Sequence, residues 1–273
     1  MEKLDCSEWA AGLALVSHGV RIGFRTNRPE ILRELGTCIP PGARRCPAEH
    51  VDRLYSLRVG DTTRPNVRFF HLLYADATLM VRSMDLRDVF IALEYDLEVY
   101  VAERARGRIF VHAGAVALNG QAIVMPGHSR SGKTTLVAAL VRAGATYFSD
   151  EYAIVDVRGR VHPYPRLLSI RSESDGESFK LPVEALGGRP GRQPLPVGTV
   201  LVTRFEEGGV WRPRTLSAGE TVLQLLAHTV SVRSEPKRAL TAVLRIARRA
   251  KTLGGVRGHA EDLVDALLEH SRA

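Results

Sequence analysis

No stretch of this chain approaches the roughly eighteen consecutive apolar residues that would span a bilayer, so the sequence holds no candidate membrane helix. Its opening, MEKLDCSEWAAGLALVSHG, sets Glu2 and Asp5 beside a short apolar run and does not resemble a secretory signal. Cysteine is scarce. Cys6, Cys38 and Cys46 make an odd count without CxxC spacing, which argues against a zinc ribbon or a disulfide framework and fits thiols in a reducing cytoplasm. No internal repeat and no low-complexity run is present. Between Arg233 and Gly258 no aromatic residue interleaves with the many cations, which argues against stacking on nucleic-acid bases.

What remains is an ordinary globular composition of 273 residues, 45% hydrophobic and 25% charged, enough for one large domain or two modest ones. The net charge is +8. Much of it falls in one place: Arg233, Lys237, Arg238, Arg245, Arg248, Arg249, Lys251 and Arg257 stand against a single acid, Glu235. Such a run is either a solvated helix face or a surface for an acidic partner.

Periodicity divides the chain near residue 105. Residues 1–105 are expected to form a small α/β domain. VRIGFRTN alternates like a strand, RPEILRELG reads as a short helix, and VDRLYSLRVGD and NVRFFHLLYADATLMVRSM read as strands with polar turns. LRDVFIALEYDLEVYVAERA places Val89, Phe90, Leu93, Leu97 and Val101 on one helical stripe leading into the second domain. Residues 106–273 open with the apolar strands RIFVHAGAVAL and QAIVMPG, joined by Asn-Gly, a hairpin signal. TTLVAALVRAGA reads as a helix, then TYFSDEYAIVD and VHPYPRLLSIR as strands around the turn VRGR. Residues 172–196, rich in Gly, Pro and charge, are expected to be a mobile loop. VGTVLVTRF restores a strand. GETVLQLLAHTV, PKRALTAVLRIARRAKTL and AEDLVDALLEHS are expected as three closing helices.

PGHSRSGKTTL, Pro126 to Leu136, carries the chemistry. Gly127, four residues, Gly132, Lys133 and Thr134 match the phosphate-loop pattern G-x-x-x-x-G-K-[ST] without a mismatch, between an apolar strand and a helix. Loop amides turned inward, together with the positive end of the following helix, suit an anion. Residues Gly127, His128, Ser129, Arg130, Ser131, Gly132, Lys133, Thr134 and Thr135 are therefore the candidate nucleotide cradle. Lys133 is directed to the terminal phosphates, and the Thr134 hydroxyl is a candidate Mg²⁺ ligand. Asp150 follows Lys133 by 17 residues, on the strand that returns beside the loop. A carboxylate there can ligate Mg²⁺ or accept a proton from an attacking hydroxyl, and so close an acid points toward a kinase. Arg130 and Arg171 are further cations able to face phosphate.

VHAGAVALNGQAIVMPGHSRSGKTTLVAALVRAGATYFSDEYAIVD resembles the catalytic domain of the HPr kinase/phosphorylase family, chiefly over residues 108–171. The resemblance implies a phosphate-loop kinase core of the HPr kinase/PEP carboxykinase-like type, with antiparallel hairpins around the loop. It also implies ATP and Mg²⁺ as cofactors and a Ser or Thr hydroxyl of a protein or peptide as acceptor. On the matching positions, Asp150 would be base and metal neighbour, Glu151 a second acid, and His112 a proton-linked helper. Arg130, Thr135 and Glu151 stand where the family has Gly, Glu and Asp. The glycine-rich signature of the reverse, phosphate-removing reaction is missing, so that reaction is not expected. Related kinases act on small biosynthetic precursor peptides, which is one concrete acceptor. The founding enzymes are hexamers, so a homo-oligomer is an expectation of the resemblance alone. Two other readings stand beside this one: a small-molecule kinase of the shikimate or nucleotide-kinase type, and a nucleotide-binding regulator without transfer activity. An all-parallel sheet around the loop would favour the former.

Overall fold

A computed structural model describes residues 9–47, 49–60, 68–128, 131–171 and 178–270. The protein is a mixed α/β chain with several sheets and six α-helices among the described residues. It divides into two compact units, Met1–Arg106 and Gly107–Ala273.

In the first unit, β1 (Ala11–Ser17) and β2 (Val20–Thr26) form a hairpin. Its two-residue turn is His18-Gly19, both with positive φ, the geometry that keeps a tight hairpin twisted with its strands. A short helix α1 (Ile31–Glu34) and a 3₁₀ turn follow, where sequence reading expects one helix. Then come β3 (Arg44–Arg45), β4 (Arg53–Arg58), β5 (His71–Ala75) and β6 (Thr78–Ser83), in the sheet order β3-β1-β2-β4-β5-β6. Helix α2 (Leu86–Arg104) is capped by the Asp85 carboxylate, which accepts from the Arg87 amide. Val89, Leu93, Leu97 and Val101 are buried as the stripe predicts, whereas Phe90 is only half-buried. Asp96 on α2 ties helix to sheet by accepting from Arg53 Nη2 at 2.9 Å and from the buried Tyr55 hydroxyl at 2.6 Å. Cys38 is buried and Cys46 half-buried, and neither is in a disulfide; Cys6 lies outside the described residues.

The second unit opens with the expected hairpin. β7 (Ile109–Leu118) runs antiparallel to β8 (Gln121–Pro126) through Asn119-Gly120, both left-handed. Helix α3 (Lys133–Arg142) follows the phosphate-loop segment and crosses β7 so closely that a Cβ on Gly114 would sit 2.7 Å from the Val137 side chain. TYFSDEYAIVD, expected as one strand, is two: β9 (Thr146–Ser149) and β10 (Tyr152–Val155), both antiparallel to β7. The Ser149 hydroxyl accepts the Tyr152 amide and turns the chain at Asp150-Glu151. β11 (Arg160–His162) and β12 (Leu168–Arg171) are likewise separate, since Pro163 and Pro165 between them have no amide for a ladder.

Residues 178–196 correct the mobile-loop expectation. β13 (Ser178–Leu181) pairs with β12, a 3₁₀ turn covers Val183–Leu186, and β14 (Leu195–Phe205) begins before Pro196; residues 172–177 lie outside the described residues. β15 (Arg214–Thr215), α4 (Ala218–Ala227) and α5 (Pro236–Ala247) follow, α4 starting from a capping box of Ser217 and Glu220. The expected long helix over 236–253 ends at Ala247, and Lys251–Arg257 is a strand, β16, parallel to β14. Helix α6 (Ala260–His270) closes the described chain.

The main sheet runs β11-β10-β7-β8-β14-β16-β15, and β11 also pairs with the start of β14. One face is filled from α4 and α5, through Leu225, Ala239, Val243 and Ile246. The other is filled from α3 and α6, through Leu136, Val137, Leu140 and Leu263. The basic run is mostly exposed, at Arg233, Lys237, Arg245, Arg248, Arg249 and Lys251, but Arg257 is buried.

Candidate functional site

The loop between β8 and α3 lies at the end of β8, between antiparallel β7 and parallel β14. Its strand is anchored on β7, since the Gly127 amide donates to the His112 carbonyl at 3.3 Å. Ser129 and Arg130 lie outside the described residues, as does the side chain of Arg171. His128 is exposed, Ser131 and Thr134 are half-buried, and Thr135 is exposed on the first turn of α3. Gly132 stands at the helix N-terminus with φ of 80°, the left-handed conformation that favours glycine.

Lys133 is folded back along the loop. Its Nζ donates to the carbonyls of Gly127 at 2.9 Å and His128 at 2.7 Å. Burial lowers its pKa, and the charges of Glu151 and Asp150 oppose that shift. The ammonium thus spans the loop mouth, with both acids close enough to be felt.

Asp150 and Glu151 occupy the break between β9 and β10, opposite Ala113 and Gly114 of β7, where the Ala113 amide donates to the Glu151 carbonyl. Asp150 is 3% exposed. Its Oδ2 accepts from Thr134 Oγ1 at 2.8 Å, while Oδ1 is buried without a hydrogen-bond partner. Burial pushes its pKa up to about 6, and the Thr134 hydrogen bond only partly offsets this. A buried carboxylate oxygen without a donor is costly unless a cation or proton meets it. Glu151 is far more open. Its Oε2 lies 3.3 Å from His112 Nε2, and that contact holds its pKa below the usual carboxylate range.

Thr134 bonds to Asp150 and His112 contacts Glu151, while Lys133 feels the charge of both acids and bonds instead to the loop carbonyls. Hard oxygen donors, one carboxylate and one hydroxyl, fit Mg²⁺, and the orphaned Oδ1 leaves a coordinating atom unused. No group of three or more His, Cys, Asp or Glu is placed to hold a metal among the described residues, so any ion here takes most of its ligands from phosphate and water.

Two contributors escape the sequence reading. The first is His228, at the C-terminal end of α4. Its ring makes an edge contact with His128 at 4.6 Å, and its carbonyl accepts the His112 amide at 2.7 Å. Burial, then the charges of His128, His112 and Lys133, lower its pKa to about 4. The second is Arg257, whose Nη2 donates to the Gly132 carbonyl at 2.9 Å. One signal for it is present: Ala250 and Leu253 continue the spacing of Ala239, Val243 and Ile246, but Gly254-Gly255 ends any helical reading before Arg257.

No protein-family model matches the chain, and a search of curated proteins finds no match. No helix of the described residues is long and apolar enough to cross a membrane.

Proposed function

We propose that the Gly107–Ala273 unit is an ATP-dependent kinase of the HPr kinase-like type, transferring the terminal phosphoryl group to a hydroxyl, of Ser or Thr in a protein or peptide. One observation carries the reading: the carboxylate of Asp150, buried and half-unpaired, bonds to the Thr134 hydroxyl next to Lys133. That is the placement a Mg²⁺-triphosphate requires on the strand following a phosphate loop. The antiparallel neighbours of β7 favour this core over an all-parallel small-molecule kinase.

In this reading the loop amides from Gly127 to Thr135 and the Lys133 ammonium hold the β- and γ-phosphates. Mg²⁺, held by Thr134 and Asp150, would neutralise charge on the phosphate oxygens. The open Glu151 takes the proton of the acceptor hydroxyl, and His112 holds that carboxylate oriented. The acceptor oxygen bonds to the γ-phosphorus as the bond from phosphorus to the bridging oxygen breaks, and ADP leaves with that electron pair.

The test is incubation of the full chain with γ-labelled ATP, Mg²⁺ and a panel of Ser- and Thr-containing peptides, beside Asp150→Asn. Transfer or hydrolysis should fall by ~100-fold or more in the variant, the scale for losing a preorganised group at the reacting phosphate. Wild-type protein that binds ATP yet turns it over no faster than Asp150→Asn would be a regulator and not a kinase.

A further inference from the structure

Arg257 closes β16 and is 2% exposed. Its Nη1 donates to the Gly258 carbonyl at 3.0 Å, Nη2 to the Gly132 carbonyl at 2.9 Å, and the Phe205 ring lies 5.4 Å from Cζ. Nε is buried with no partner. No carboxylate forms an ion pair with this guanidinium among the described residues. Burial lowers its pKa more than the charge of Glu261 raises it. An arginine in such a place normally has a paired acid, because a buried charge left without one is expensive.

The neighbourhood makes the deficit worse. The positive end of α3 begins at Lys133, directly after the glycine that Arg257 grips. Two positive features, the helix end and the Arg257 guanidinium, meet at one peptide unit, and the Lys133 ammonium lies along the same loop on the carbonyls of Gly127 and His128. What would balance them is an anion.

The contact also has a geometric effect. The Gly132 carbonyl accepts both Arg257 Nη2 and the Leu136 amide. In a trans peptide plane the Lys133 N–H points opposite to that carbonyl. Fixing the oxygen therefore aims the amide away from Arg257, to the other side of the loop, and polarises it as a donor. The left-handed φ of 80° favours glycine at 132, and a Cβ there would displace Arg257 Nη2.

We propose that Arg257 is a positioning residue for polyphosphate: its buried charge is balanced by an anion seated in the loop, and through the Gly132 carbonyl it orients the amides that grip that anion. The inference rests on the phosphate-loop reading above. It adds that occupancy of the loop and the seating of the C-terminal strand are coupled.

The experiment is calorimetric titration of the full chain with inorganic pyrophosphate, for wild type, Lys133→Ala, Arg257→Lys, Arg257→Gln and Arg257→Met, with circular dichroism as the check on folding. Arg257→Met should weaken pyrophosphate by ~10-fold or more, the scale of one charge-assisted contact. Arg257→Lys keeps the charge and should stay within ~5-fold of wild type although it melts lower. A merely structural arginine would lower the melting temperature of both and leave affinity unchanged. A folded Arg257→Met with wild-type affinity overturns the proposal. Where the Met variant does not fold, Arg257→Gln decides: it removes the charge and should also weaken pyrophosphate by ~10-fold, and wild-type affinity in it overturns the proposal. Wild type that ignores pyrophosphate, or Lys133→Ala that binds it normally, sinks the phosphate-loop reading and this inference together. Weakened Lys133→Ala beside an intact Arg257→Met sinks only the inference.

Discussion

Replacing Asp150 by Asn should make the metal-free protein more stable at neutral pH while removing the chemistry assigned to it. Burial, aided by Glu151, raises the folded-state pKa from an ordinary 3.8 to about 6 against the opposing Thr134 hydrogen bond, Lys133 and His112. An acid whose pKa is higher folded than unfolded stabilises the folded chain below the unfolded value, and that contribution is lost as pH rises through the folded value. Ionised near neutrality, Asp150 therefore costs the fold about 3 kcal/mol, two pKa units at 1.36 kcal/mol each. Asn has no charge and keeps an oxygen able to accept from Thr134 Oγ1. Allowing ~1 kcal/mol for exchanging a carboxylate acceptor for an amide leaves a gain of ~2 kcal/mol. For a unit of this size that is a rise of ~4–8 °C.

The assay is differential scanning calorimetry of both proteins in EDTA without nucleotide, at about pH 7.5 and about pH 5. At the lower pH wild-type Asp150 is itself largely protonated, the penalty shrinks by about 1.4 kcal/mol, and the gain should drop to less than half. A variant no more stable than wild type near pH 7.5 would refute the reasoning. So would a gain that grows on acidification, because the sign of the linkage would then be reversed.

Gly132→Ala should cost at least ~1 kcal/mol in urea unfolding, from left-handed backbone strain alone, and should weaken pyrophosphate binding because the new Cβ displaces the Arg257 guanidinium. In the first unit, Asp96→Ala removes the acceptor shared by Arg53 and the Tyr55 hydroxyl and should cost ~2–3 kcal/mol. Trp9, which stacks under Arg25 in that unit, reports it by fluorescence in a Trp211→Phe background, and an unchanged urea midpoint would contradict it.

The parts of the fold legible in the sequence are those whose cause is local. Asn119-Gly120 dictates its hairpin because the turn needs two residues with positive φ and nothing from elsewhere. The stripe Val89, Leu93, Leu97, Val101 marks its helix because a 3.6-residue period survives any tertiary context. Lys251–Arg257 shows the reverse. Lys251, Thr252 and Leu253 continue a helical reading acceptably, Gly254-Gly255 ends it, and the segment is a strand because β14 offers it a parallel edge from Thr199 to Phe205. Asp150 and Glu151 sit at a break, and not within one strand, for a comparable reason: the break is set against β7, and only the Ser149 hydroxyl hints at it.

This division bears on how the site works. The donors of the loop are written into eleven consecutive residues, Pro126 to Leu136. The cation that fixes the Gly132 carbonyl arrives from 125 positions away. A chain in which β16 is not yet seated on β14 therefore has the loop's residues without the contact that aims its amides. Deleting β16 should thus impair phosphate binding more than removing Lys133 alone, since it takes away the Gly132 anchor and one of the two parallel neighbours of β14 together. Nucleotide added during refolding should correspondingly speed recovery of binding-competent protein, because the anion and the strand stabilise the same peptide plane. A refolding rate independent of pyrophosphate concentration would separate the two.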